Sequence, residues 1–173
     1  IHILQLTTIY LRPVRVSEFH NGFSELADRM TFLNDFFEQQ YDCAPYSGER
    51  IYYFICGAPR VGSNLLCDLL HGSGVMGAPA EYFNSTEGMK LMADRLRLLH
   101  NEKLNLGEYI EALKNLRTSP NGVFGAKVQY WMMPPLTKNK LISKHFPDAK
   151  FIFLTRLDAI AQGVSLELAL QSG

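Results

Sequence analysis

Four residues in this chain have types and settings that could do chemistry: Arg60 between two glycines, Glu81 in a loop, Lys127 on an apolar run, and Arg156 directly after another. The setting of Arg60 is the most informative. In CGAPRVGSNLLCDLL (56–70), Gly57 and Gly62 stand five apart, as in the G-x-x-x-x-G loop that cradles nucleotide phosphates. Glycines there permit the tight backbone that turns successive N–H groups toward one anion. A helix that follows adds unpaired N-terminal N–H groups and about half a unit of positive charge. Arg60 contributes a guanidinium fork suited to phosphate or sulfate oxygens, while Ser63 and Asn64 bring a hydroxyl and an amide to the helix start. The lysine of ATP-hydrolysing loops is absent, its place taken by Ser63 and Asn64. The plainer alternative is a strand–loop–helix turn with glycines for packing and Ser63 as its N-cap. Arginine between the glycines favours the anion cradle.

Such residues need elements to position them. The run IYYFIC (51–56) is aromatic and β-branched and reads as a strand, with a helix from Ser63 or Asn64 to about Gly72–Gly74. APAEYFN (78–84) reads as a loop, Ser85 as the cap of a helix from Thr86 to His100, and 107–117 as a second helix with Tyr109, Ile110, Leu113 and Leu116 on one face. SPNG (119–122) is a turn, and VFGAKVQ (123–129) a strand with an atypical central glycine. Pro134 and Pro135 start a helix to about Ser143, and FIFLT (151–155) is the short apolar run of a buried parallel strand. A last helix begins near Asp158. Short strands alternating with helices predict an α/β fold with a P-loop-type parallel sheet flanked by helices. Ligands in such folds gather beyond the carboxyl ends of the strands. Residues 1–48 form a separate extension whose segment 17–41 reads as an amphipathic helix, with Phe19, Phe23, Leu26, Met30, Leu33, Phe36 and Phe37 recurring at three and four. That helix could mediate a homodimer contact or pack on the sheet.

Composition narrows the partners. With 173 residues and 47% hydrophobic content, the chain is long enough for one globular core. Seventeen basic residues balance seventeen acidic ones, so no global field favours nucleic acid or an anionic membrane, and anion binding must be local. No apolar run approaches the ~20 residues of a membrane span. The opening IHILQLTTIYLRPVRV alternates too much for a signal-peptide core and lacks an initial Met, which suggests a fragment or processed chain. Cys43, Cys56 and Cys67 lack C-x-x-C spacing; they read as reduced thiols of a cytoplasmic protein, without support for a metal site.

The segment PRVGSNLLCDLL (59–70), after IYYFIC and before AEYF (80–83), resembles the phosphosulfate loop of bacterial carbohydrate sulfotransferases typified by trehalose 2-sulfotransferase. FGAKV (124–128) is similar to the family's lysine-bearing strand, and FIFLTRLDAIAQGVSL (151–166) to its strand–Arg–helix segment, so the likeness covers about residues 50–172. The resemblance implies transfer of a sulfuryl group from PAPS (3′-phosphoadenosine 5′-phosphosulfate) to a hydroxyl of a carbohydrate or glycolipid, with PAP as product. It assigns Arg60, Val61, Gly62, Ser63, Asn64 and Leu65 to the 5′-phosphosulfate, with Arg60 also acting on the leaving group. Arg156 and Ser165 fall to the 3′-phosphate, Glu81 becomes the general base, and Tyr82 and Lys127 join it at the acceptor. Two departures stand out. Val61 replaces a Ser or Thr, and Arg156 lies nine residues before Ser165 where the family's spacing is eight, a position here held by Leu157. The family also usually continues past the point where this chain stops, which implies truncation of the sulfotransferase-like domain at 49–173. Asp158 either pairs with Arg156 or, on a competing ATP-dependent reading, stands in for a magnesium-binding carboxylate. A non-catalytic anion-binding module is the other alternative. Tyr130 and Trp131 fit either a core role or stacking on a sugar or adenine.

Overall fold

The computed structural model describes residues 7–8, 35–84, 88–138 and 140–172. Its strands are β1 (Thr7–Thr8), β2 (Ile51–Gly57), β3 (Leu99–His100), β4 (Lys103–Leu104), β5 (Val123–Gln129) and β6 (Lys150–Leu154). Its α-helices are α1 (Ser63–Gly72), α2 (Gly88–Arg95), α3 (Leu106–Arg117), α4 (Met133–Lys138), α5 (Leu141–His145) and α6 (Ala159–Ser172). One parallel sheet has the order β1-β6-β2-β5, and β3 and β4 form a separate antiparallel hairpin. The fold is α/β, a parallel sheet flanked by helices, as the alternating pattern predicts.

β2 is the central strand, buried from Tyr52 to Cys56, and a strand covered on both faces must be apolar almost throughout. Its register runs from Ile51↔Val123 to Gly57↔Gln129 against β5, and from Tyr53↔Lys150 to Gly57↔Leu154 against β6. The carboxyl ends of the three strands therefore finish side by side at Gly57, Gln129 and Leu154. On one face, Phe146 wedges edge-on against Tyr52 and Phe54, with ring centroids 5.3 and 5.2 Å away, and stacks at 5.6 Å on Phe124. Burying each such ring contributes about 1.5–3 kcal/mol. On the other face, Tyr53 lies across its register partner Gly125, where a Cβ would run into the phenol ring. The ring is held there by its hydroxyl, which donates to the Met76 carbonyl at 2.8 Å. That contact explains the glycine in the middle of a strand.

Several boundaries differ from the sequence expectation. Of the helix expected over 17–41, residues 17–34 lie outside the described residues. The rest forms two 3-10 turns, Asp35–Phe37 and Gln39–Tyr41, which carry the adjacent rings of Phe36 and Phe37 into the core together. Ser85 and Thr86 also lie outside the described residues, and the helix expected to reach His100 stops at Arg95. Arg97 takes a left-handed φ of 55°, and Asn101 and Glu102 (φ 50° and 62°) form the two-residue turn joining β3 to β4. The helix expected from Pro134 to about Ser143 is split into α4 and α5, with Lys140 left-handed at φ 54° before the second. β6 is less buried than its apolar run suggests: Leu154 is buried, but Phe153 is 36% exposed. Among the described residues, no helix is long and apolar enough to cross a membrane.

Candidate active site

After β2 the chain turns through Arg60 and Gly62, both left-handed at φ 64° and 86°. A non-glycine residue seldom adopts this conformation. Gly62 occupies the cap position of α1 and offers no side chain to its N–H groups. Ser63 is the first helical residue and not the N-cap. The first intrahelical bond runs from Leu66 N–H to Gly62 O at 3.1 Å, so the amides of residues 63 to 65 have no acceptor within the helix. The Val61 side chain turns inward and is 8% exposed. The hydroxyl it lacks is therefore missing from the core side of the loop, while the backbone cradle is intact.

α6 is stitched to this loop. Arg60 Nε donates to Ser165 Oγ at 2.9 Å, Arg156 Nη1 to the Arg60 carbonyl at 3.4 Å, and Gln162 Nε2 to the Pro59 carbonyl at 2.8 Å. The nine-residue spacing leaves Arg156 and Ser165 on the same cavity as Arg60. Asp158 makes no ion pair with Arg156; its carboxylate accepts the Ala161 N–H at 2.8 Å and caps α6.

The third component comes from β5. Residues 78–84 pass beside this strand, and the Ala80 carbonyl accepts the Lys127 N–H at 2.9 Å. That bond sets Glu81 beside Lys127, and the two side chains pair at 2.7 Å (Oε1 to Nζ) with residue exposures of only 5% and 6%. Gln129 Nε2 also donates to Glu81 Oε1 at 2.5 Å, and Asn84 Nδ2 donates to Oε2 at 3.0 Å. Lys127 Nζ donates as well to Asn64 Oδ1 on the first turn of α1. Burial pushes the Glu81 carboxyl up, but the Lys127 charge and the donors Lys127, Gln129 and Asn84 outweigh it and hold the group below the usual glutamate value.

These parts enclose a cavity of about 330 Å³, lined by Arg60, Gly62, Ser63, Asn64 and Leu65 together with Glu81, Lys127, Gln129, Arg156 and Ser165. Three cations face one carboxylate. The lysine absent from the loop enters the site from the neighbouring strand.

Tyr82 does not reach this cavity. It is fully buried, its hydroxyl donates to the Ala78 carbonyl, and its ring lies 5.9 Å from Phe37 and 6.4 Å from Phe124. The substrate contact expected of it is replaced by core packing, because two apolar neighbours compete for its ring. Gln129 was missed by motif reasoning. Strand periodicity would have found it: two residues beyond Lys127, it shares that face of β5. Tyr130 and Trp131, just beyond, are 79% and 55% exposed and so are not core residues.

Fold and cavity together describe an α/β protein whose cation-rich site opens where three parallel strands end, with an uncapped helix pointing at it. The chain belongs to the Stf0 sulphotransferase family, whose model matches residues 52–173, from the second residue of β2 onward and including every residue of the cavity. It is by that membership a sulfotransferase. The comparison with curated proteins gives no match.

Proposed function

We propose that the protein transfers a sulfuryl group from PAPS to a hydroxyl of a carbohydrate or glycolipid acceptor. One observation carries this reading: the uncapped start of α1, Arg60, Arg156 and Ser165 share a cavity with an ionised, buried Glu81. The donor set suits an anion with two charged ends. The N–H groups of residues 61 to 65 and Arg60 would hold the 5′-phosphosulfate, and Arg156 with Ser165 the 3′-phosphate. PAPS supplies the activated sulfuryl group when bound, and PAP is what it leaves.

The chain's own residues do the rest. Arg60 and the loop amides stand ready for negative charge on the departing side, where one preorganised donor is commonly worth about 10² to 10³ in rate. Glu81 takes the proton from the incoming hydroxyl. Tyr130 and Trp131 follow Gln129 directly, and their exposed aromatic faces would suit stacking on a sugar ring. Three unpaired cysteines fit a reducing, cytoplasmic compartment. An ATP-dependent reading is less well supported. It calls for a lysine on the loop, where Ser63 and Asn64 stand, and a metal-binding carboxylate, whereas Asp158 is used to cap α6.

The test is transfer of radiolabelled sulfuryl from PAPS to a panel of mono- and disaccharides and glycolipids. Label should reach at least one acceptor, and Glu81→Gln should lower turnover by about 10² to 10⁴ while retaining PAP binding. Full turnover in Glu81→Gln would remove Glu81 as the base.

A further inference from the structure

The same network that keeps Glu81 ionised also obstructs it. Oε1 is occupied by both Lys127 and Gln129, and Oε2 is engaged by Asn84. A carboxylate so saturated is a poor proton acceptor, and a hydroxyl can reach Oε1 only if a donor leaves. Lys127 is the donor able to do so. Its ammonium sits on a flexible four-carbon stem, and it already bridges Glu81 to Asn64, the second residue of α1 and part of the loop end of the cavity. The cluster is also one donor short, because Gln129 Oε1 is buried without a hydrogen-bond partner. A neighbouring hydroxyl of a polyol acceptor can meet that need, which leaves the one proton of the reacting hydroxyl for Glu81.

We propose that Lys127 couples donor occupancy to the base: an anion in the α1 cradle draws its ammonium away from Glu81 toward the loop, and Glu81 is freed for the acceptor hydroxyl only then. The inference rests on the PAPS reading and makes Lys127 a positioning residue. The only proton that moves passes from the acceptor hydroxyl to Glu81. The exchange is strong enough to matter because both partners are almost fully buried, where water screens charge weakly. Across the cavity Glu81 faces Arg60 of the loop and Arg156 before α6, whose charges are present with or without an anion, and its closer neighbours are few. β5 contributes Lys127, and α1 the Cys67 thiol, which burial raises to about 12 so that it stays neutral. The remaining neighbours, Gln129, Asn84 and Asn64, carry no charge, and α2 meets the Glu81 backbone with Gly88.

Carbon-13 NMR of the glutamate side-chain carboxyls tests the coupling, with the Glu81 signal assigned by its loss in Glu81→Gln and titrated with and without saturating PAP. In the wild type, PAP should raise the proton affinity of Glu81 at least tenfold. In Lys127→Met the affinity should start high and respond to PAP much less, since only the direct repulsion of the anion is left. Lys127→Arg, which keeps the charge, should restore a PAP-dependent rise and guards against misfolding of the methionine variant. An unchanged Glu81 titration when PAP is bound, or an equal rise in Lys127→Met, would overturn the coupling while leaving the donor assignment intact. Failure of PAP to bind the wild type would overturn both.

Discussion

At the scale of single residues, three cations and one carboxylate share a single small cavity. On the proposed PAPS reading Arg156 holds the 3′-phosphate, so Arg156→Ala should abolish the preference for PAP over adenosine 5′-phosphate while leaving the fold unchanged; competition binding of the two nucleotides measures it. Glu81 also ties stability to pH. In the fold its carboxyl lies below the value of 4.5 for a free glutamate, so its ionised form stabilises the protein above that pH. The contribution is lost as pH falls through the lower, folded value. Glu81→Gln should therefore flatten the fall in urea midpoint as pH drops below 4.5. Arg60 stands out in the sequence by its own setting, between two glycines after a strand and before a helix, whereas Glu81 and Arg156 are singled out only by the resemblance of AEYF and FIFLTR to family segments. The place of Tyr82 was not legible, since nothing in AEYF says that both of its aromatic residues are buried in the core. Lys127 was half legible. A lysine two residues from a strand end signals the cleft, but its pairing with Glu81 depends on the Ala80 carbonyl meeting its N–H across the sheet edge.

Among elements, the strands were the clearest in the sequence and the helix ends the least. β2 and β5 announce themselves by composition, and their register brings Gly57 and Gln129 level. The glycine within β5 looked atypical until its neighbour was known, because the residue that requires it, Tyr53, lies 72 positions earlier on the paired strand. Gly125→Ala should cost about 1–3 kcal/mol by overpacking against a ring anchored at its hydroxyl, read as a lower thermal midpoint. The hairpin of β3 and β4 was hidden because Asn101-Glu102 lacks the glycine that usually marks such a turn. For the start of α1 the sequence leaves two readings, a helix capped by Ser63 or, favoured by Arg60, an anion cradle with open N–H groups. The fold gives the cap position to Gly62 and leaves the amides open, which is the feature that makes the loop a cradle.

Across the whole molecule, the family match begins at residue 52, yet the core extends before it. Phe36 and Phe37 are 3% and 6% exposed. Asp42 joins this earlier segment to α2 and α3 through paired bonds to Arg95, each 2.8 Å, and a contact of 3.1 Å to Arg117, which is wholly buried. Asp42→Ala would leave two arginines without their shared carboxylate, and the loss should be about 3–5 kcal/mol in urea unfolding. Arg117 also packs 5.9 Å from the ring centroid of Tyr82, the residue after Glu81, so the same cluster steadies the loop that carries Glu81. No sequence pattern could have shown this, because Asp42, Arg95 and Arg117 lie on three elements far apart in the chain. The proposed function stands or falls on whether the cavity holds PAP. Calorimetric titration with PAP, beside adenosine 5′-phosphate and ATP with magnesium, tests it most directly. Tight binding of PAP with much weaker binding of the other two is the predicted result; preference for ATP with magnesium, or no binding of PAP, would contradict it.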